Sequence, residues 1–346
     1  MYHPRLKGTH YEMGQKMGNI FRKNKAEFPI RLDSFQTKFG RESAILLKKY
    51  FPEAVEEIRG ITDVIEYDND LFAAWMMCMG CCLDIQQDKS VEMRGCTAFS
   101  FINQGKVYHG RNNDLPPFLQ KVSKSIYYQP KDKLSFIINT SSFINGEEGI
   151  NECGLVAAMT FVKPKPDEIK PGINSVFLVR YILESCRNVA EVIESLNELP
   201  IASSCNIILT DKKGEMVVAE CNPEKVHLRY PLKNKNDEEF IITVNHFTSD
   251  VMQKHDASHR NVYFSAERYK TAYDALKNIN NDDSIHYAKK ILRGEYGFMC
   301  QYKKDLNFDT VWSSIFDITE NKILRAEGNP RRNRYIIDNR LFDKFN

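Results

Sequence analysis

GCTAFSFINQGKVYHGRNNDL, residues 95 to 115, is where the texture of this chain changes. Two strand-like runs, CTAFSFI and KVYHGRN, flank Asn103-Gln104-Gly105, and the pattern predicts a β-hairpin. Cys96 and Asp114 lie 18 positions apart, the separation that two strands and a tight turn need to return one side chain beside the other.

Upstream of this stretch the hydrophobic period is helical, over Tyr11 to Arg22, Arg41 to Val64 and Asn69 to Leu83, with Asp68 and Asp70 suited to a helix start. Downstream, short strands dominate: SIYYQ, LSFIINT, GLVAAMTF, then NIILTD and MVVAEC around a Lys212-Lys213-Gly214 turn, then FIITVNHF and VWSSIFDIT. Helical stretches at Ser175 to Leu199, Tyr263 to Ile279 and Ile285 to Leu292 interrupt them, while 163–171 and 233–239 read as loops. Helices, a block of strands, helices and more strands predict an α+β fold of antiparallel sheets with segregated helix layers rather than a βαβ winding.

Composition narrows the function. The chain has 346 residues, and its 21 Phe, 16 Tyr and 2 Trp are enough for a large packed core. A net charge of +2 is too balanced for a polyphosphate-binding surface, which argues against a nucleic-acid partner. Neither a leader-like apolar start nor a membrane-length apolar run is present, so a soluble, cytoplasmic protein is expected. Nine cysteines, an odd number without framework spacing, are expected as reduced thiols.

The chemistry points to the Gly95-Cys96 step. A thiol preceded by the residue without a Cβ is open to attack on the Gly95 carbonyl, and cutting that bond would leave Cys96 with both a thiol and an α-amine. Such an amine titrates near 7.7 to 8.0, so nucleophile and base would share one residue. The competing reading makes Cys96 a small buried hydrophobe. Asp114 is placed to orient the amine, and Arg111 offers a donor fork for a substrate carboxylate or carbonyl; otherwise both simply end a hairpin. Asn245, at the end of an apolar strand, suits donation to an oxyanion, and Arg268, after Ser265 at a helix start, suits charge neutralisation near the nucleophile. Cys78-x-x-Cys81-Cys82 lies in an apolar helical run without a second CxxC, and His255-Asp256 with His259 lacks a third ligand, so neither reads as a metal site.

Taken in order, the segments LKGTHYEMGQKMG (6–18), RGCTAFSF (94–101), GRNNDL (110–115), GINECGLVAAMTF (149–161), TVNHF (243–247), SAERY (265–269), TVWSSIFDI (310–318) and EGNP (327–330) span nearly the whole chain. This set resembles the acyl-CoA:6-aminopenicillanic acid acyltransferase-like family of N-terminal nucleophile hydrolases, relatives of choloylglycine hydrolase and penicillin V acylase. The resemblance implies a four-layer αββα sandwich, with 1–95 a helical pro-segment or small chain and 96–346 the catalytic chain, together one structural domain. It implies that Cys96 is a nucleophile unmasked by autocatalytic cleavage of a zymogen, that Asp114 holds its amine, and that Arg111 and Arg268 complete the site. By the same resemblance Asn245 serves the oxyanion, and Thr160, Asn113 and Phe247 contact substrate.

The implied activity is hydrolysis or formation of a linear amide through an S-acyl enzyme, with no metal or organic cofactor. Its partners would be a small-molecule amide or acyl donor, such as an acyl amino acid or acyl-CoA, and a homo-oligomer is admitted; no nucleic acid or membrane is expected. Two rivals stand beside it: an uncut Cys-His thiol hydrolase using His109 or His246, and a non-catalytic binding protein on the same fold.

Overall fold

The computed structural model describes residues 1–28, 30–83, 95–257, 262–280, 283–300, 302–303 and 307–342. The first helices begin where side chains satisfy their orphan amides. Thr9 and Asp33 open His10–Lys23 and Ser34–Tyr50 as reciprocal capping boxes with Glu12 and Gln36, and Asp68 caps Asn69–Cys78 through the Leu71 amide. The single helix expected over Arg41 to Val64 is two, because Pro52 has no amide hydrogen to continue the ladder and instead occupies the first position of Pro52–Ile65. Ser175 to Leu199 also divides, into Ser175–Ser185 and Val189–Glu198, the second restarted by an Asn188 cap on the Glu191 amide.

Two eight-stranded sheets form the middle of the molecule. One runs Arg5–Gly8, Lys124–Pro130, Phe136–Thr140, Glu148–Asn151, Val156–Phe161, Cys205–Thr210, Met216–Cys221, Val226–Arg229. The other runs Leu232–Lys233, Glu239–Thr243, Gly95–Asn103, Lys106–Leu115, Phe308–Asp317, Lys322–Ala326, Ile336–Ile337, with Tyr302–Lys303 added beside Phe308–Asp317. Every described pairing is antiparallel except Arg5–Gly8 with Lys124–Pro130. Sequence reading missed the short strands Arg5–Gly8, Glu148–Asn151 and Val226–Arg229, which at four residues are too brief to show a period.

Alternation along the strands builds three apolar interlayers. Ile138, Ala157, Met159 and Ile207 of the first sheet meet Met13, Met17, Phe72 and Phe177 of the early helices and Ser175–Ser185. Ala98 and Ile241 of the second sheet meet Ala158, Ile208 and Val218 of the first. Phe99, Phe101 and Ile315 pack outward on Ala272, Leu276 and Ile291 of Ser265–Lys277 and Ser284–Leu292. The result is the expected helix–sheet–sheet–helix sandwich.

His10–Lys23 crosses Pro52–Ile65 so closely that two glycines are required. A Cβ at Gly14 would sit 2.1 Å from the Glu57 carbonyl oxygen, and one at Gly60 would sit 2.2 Å from that of Tyr11. A buried polar cluster ties these helices to the sheet: Arg180 donates to Glu57 (2.8 Å) and Glu184 (2.9 Å), Tyr128 donates to Glu57 (2.9 Å), and His10 pairs with Glu184. The Arg180 guanidinium also lies 3.9 Å from the Tyr128 ring centre.

Candidate active site

Cys96 is the second residue of the strand Gly95–Asn103, paired in register with Asn113 on the neighbouring strand, while Gly95 pairs with Asp114. The hairpin read from the sequence is therefore present, and its register sets the site. The Cys96 thiol, buried at 4% exposure, contacts Asn113 Oδ1 at 3.2 Å and receives a hydrogen bond from Arg111 Nη2 at 3.3 Å. Its backbone amide donates to Asn245 Oδ1 at 2.7 Å, and its carbonyl accepts from Arg268 Nη1 at 2.5 Å. Burial pushes the thiol above its ordinary pKa, with the Asp114 charge adding to the rise while Arg111 and Arg268 pull it down.

Arg268 is fully buried on Ser265–Lys277 and also donates to Thr97 Oγ1 (2.7 Å), Asn245 Oδ1 (2.8 Å) and the Tyr263 carbonyl (3.1 Å). Tyr263 and Phe264, just before that helix, both hold left-handed backbone (φ 56°), a strained entry for aromatic residues. Ser265, the first residue of that helix, does not cap it. Its hydroxyl instead accepts from the Asn245 amide at 2.9 Å and bonds His246 Nδ1 at 2.8 Å, which anchors the end of the Asn245 segment.

Arg111 is likewise sealed inside, donating to the Met159 carbonyl (2.9 Å) with Glu148 Oε2 3.8 Å from its Nη1. Glu148 is fixed by Asn139 (2.7 Å), Trp312 Nε1 (2.7 Å) and Ser314 (2.6 Å), all donating to its Oε1. Sequence reading did not single out Glu148. The available signal was Gly146-Glu147-Glu148-Gly149, two carboxylates opening a buried strand just before the segment GINECGLVAAMTF.

Asp114 faces Gly95. Its Oδ1 accepts from Thr310 at 2.5 Å, its Oδ2 has no hydrogen-bond partner, and a Cβ built on Gly95 would lie 3.3 Å from that free oxygen. Burial raises this carboxyl to about 7, against the opposing pull of Arg268 and the Thr310 hydrogen bond.

Beside the thiol opens a cavity of about 200 Å³, walled mostly by apolar groups including Trp75, Met79, Met159 and Phe161, with Asn113, Ser141, Ser142 and Glu147 among its polar members. The Asn113 Nδ2 amide is buried and has no partner.

Several sequence expectations are corrected here. Asn245 is not poised as a donor to an oxyanion, since its Nδ2 is spent on the Phe161 carbonyl (2.9 Å) while its oxygen accepts from Cys96 and Arg268. In the continuous chain the Cys96 amide is held by Asn245, and Asp114 lies opposite Gly95 with one oxygen free. Thr160 turns between the sheets, donating to the Val244 carbonyl at 2.6 Å, because neighbouring Met159 and Phe161 take the cavity face of the strand. Phe247 packs with Val162 and Met252, away from the cavity. Arg111 and Arg268 are absent from the cavity wall: Arg268 is held by carbonyl, hydroxyl and amide oxygens, whereas Arg111 bonds the thiol and the Met159 carbonyl through Nη2 and leaves its buried Nε and Nη1 without a hydrogen-bond partner. Asn113 alone of the three assigned substrate contacts reaches the cavity.

No histidine meets the thiol among the described residues. His109 bonds Ser100 at 2.9 Å, four positions along the strand pair from Cys96, and burial together with Arg111 depresses its pKa to about 3. His255 bonds Glu168, and His259 lies outside the described residues. Cys78, Cys81 and Cys82 pack with Phe39 and Ile169 as core; among the described residues no group of three ligating side chains is placed to hold a metal. No described helix is long and apolar enough to cross a membrane.

The family model for acyl-coenzyme A:6-aminopenicillanic acid acyl-transferase matches residues 102–332, two-thirds of the chain. The chain belongs to that family. The matched span holds Arg111, Asp114, Asn245 and Arg268 and begins six residues after Cys96. Among solved structures, penicillin V acylase from Agrobacterium tumefaciens is 17% identical with a TM-score of 0.43, covering 67% of this chain and 83% of its own. Conjugated bile acid hydrolase from Clostridium perfringens is 15% identical with a TM-score of 0.45, covering 70% of this chain and 92% of its own.

Proposed function

We propose that the protein is an autoprocessed amide hydrolase or acyltransferase of this family in which Cys96 is the nucleophile. The observation that carries the reading is the thiol's surroundings. Cys96 lies between Arg111 and Asn113 with no histidine in contact among the described residues, and its own nitrogen is already held by Asn245 at 2.7 Å. A base must come from elsewhere, and the α-amine freed by cleavage is the group at hand.

In the maturation step the Cys96 sulfur attacks the Gly95 carbonyl, the C–N bond breaks, and the proton from sulfur passes to the departing nitrogen. Water then hydrolyses the thioester, leaving the Gly95 carboxylate and a Cys96 that bears thiol and amine. In turnover the amine takes the thiol proton, sulfur attacks the substrate carbonyl, and the ammonium returns the proton to the leaving amine. Water completes hydrolysis, or a second amine completes transfer. Arg111, braced by Glu148, stabilises the sulfur anion, and the unpartnered Asn113 Nδ2 donates to the oxyanion in place of Asn245. Residues 1–95 stay on as a small chain, since Trp75 and Met79 wall the cavity.

Intact-mass measurement of purified protein tests the proposal. Fragments of about 11 and about 29 kDa are expected, the 40.2 kDa chain divided at Gly95 in proportion to length. Cys96→Ala should remain whole and inactive. An active, undivided wild-type chain refutes the processed nucleophile.

A further inference from the structure

We infer that the acyl half of the substrate is a long, straight hydrocarbon chain, held in a groove that the early helices build beside Cys96. This rests on the reading of Cys96 as the acylated nucleophile. The cavity at the thiol, about 200 Å³, falls below the roughly 300–1,000 Å³ typical of small-molecule sites. It holds the scissile group and little more. A second cavity of about 660 Å³ adjoins it and shares Trp75, Leu119, Ser141, Ser142 and Phe143 with it, so the two share one wall.

Ile20, Phe21 and Phe28 line this second cavity together with Phe118 and Val122, which are 63% and 47% exposed. The rings along it brace one another edge-on or tilted: Phe21 on Phe28 at 5.5 Å, Phe28 on Phe143 at 5.6 Å, Phe143 on Trp75 at 5.2 Å. Such a wall is preorganised for an apolar occupant. Lys124, a buried charge in this lining with the Glu147 carboxylate of the thiol cavity acting on it, gives its ammonium to the Ser142 (2.7 Å) and Val122 (3.0 Å) carbonyls and lies near the faces of Phe21 and Phe143. Its charge closes the wall and does not call for an anionic ligand. A mostly apolar lining that shares a wall with the thiol cavity and includes solvent-exposed residues fits an acyl tail better than a charged leaving group.

The test is a series of acyl 4-nitroanilides from acetyl through butanoyl, octanoyl and dodecanoyl to hexadecanoyl, assayed with the mature protein. Each methylene that enters the groove should raise kcat/KM about fourfold, so octanoyl should exceed acetyl by at least about a hundredfold. A flat or falling series with measurable acetyl turnover overturns the groove and leaves the nucleophile standing. Absence of any S-acyl adduct at Cys96 by mass spectrometry, across the whole series, overturns the nucleophile and the groove with it. Ala26→Trp, an exposed position on the groove wall, should cut the dodecanoyl-to-butanoyl ratio by at least about tenfold in protein whose melting temperature matches wild type. An unchanged ratio would show that the tail runs elsewhere.

Discussion

Neutralising Asp114 in a chain that cannot cut itself should change how stability depends on pH, by an amount that follows from its burial. The carboxyl is fully enclosed, has one free oxygen, and titrates at about 7 instead of 3.8. Because the folded value lies above the unfolded one, the folded state binds the extra proton, and stability falls as pH rises from about 4 through 7. The interval from 3.8 to about 7 corresponds to about 4 kcal/mol. Asparagine carries no such cost at any pH. Its own amide, left with an unpartnered N–H, adds a penalty of roughly 1–3 kcal/mol that does not vary with pH. The measurement that isolates the charge is therefore a double difference: urea unfolding of Cys96→Ala and of Cys96→Ala/Asp114→Asn, each at pH 4 and pH 8. The second variant should gain on the first by about 4 kcal/mol between those two pH values, whatever the constant offset. Parallel stability curves would refute a buried, largely unpaired Asp114. On the proposed maturation, a new ammonium next to Gly95 supplies the partner that the continuous chain lacks, so cleavage should lower the carboxyl's pKa and remove most of this penalty.

Two further outcomes test the arrangement. Asn113→Leu keeps the cavity wall but removes its free amide donor; kcat should fall about 10²- to 10³-fold, as for loss of an oxyanion donor, while iodoacetamide still labels Cys96. Replacing Arg180 with Leu strands Glu57 and Glu184, both fully buried, and should cost roughly 3–5 kcal/mol in urea unfolding of the whole chain; a loss under about 1 kcal/mol would mean that the cluster does not tie the helices down.

Much of the fold was legible because it is written in periods. The 95–115 hairpin, the long strands and the outer helices all carry alternation or helical spacing over ten or so residues, and the burial of the folded chain follows it. What failed to show in the sequence has local causes. Phe51-Pro52 breaks a helix within an unbroken apolar rhythm, and Arg5–Gly8 gains its strand character only by pairing with residues some 120 positions away. At the site, residue types pointed to Cys96, Arg111, Asp114, Asn245 and Arg268, and the fold brings all five together. Their orientations were not legible. An asparagine reads the same whether its oxygen or its nitrogen faces Cys96, and the Cys96 amide, Arg268 and the Phe161 carbonyl, none of them adjacent in sequence, together make the Asn245 oxygen the inward atom. Thr160 shows the opposite limit, since one step of strand alternation decides whether a side chain lines the cavity or fills the space between sheets.

The same geometry constrains what the proposed maturation can do to the molecule. Gly95-Cys96 divides the chain between the helices that wall the cavity and the strands that carry Cys96, so a protein cut there has a complete site only while both pieces remain together. Trp75, Met79, Phe21 and Phe28 come from before the step, and Asn113, Phe143 and Met159 from after it. Apolar burial across the first interlayer supplies most of the attraction, and the Glu57–Arg180–Glu184–His10 cluster adds register, because four buried polar groups satisfy one another in one alignment and leave charges stranded in others. Close contact at Gly14 and Gly60 fixes how two of these helices cross, and with it where Phe21 points. The segment before Cys96 is thus a wall of the cavity, and on the proposed function substitutions there should alter which acyl groups are accepted without touching Cys96.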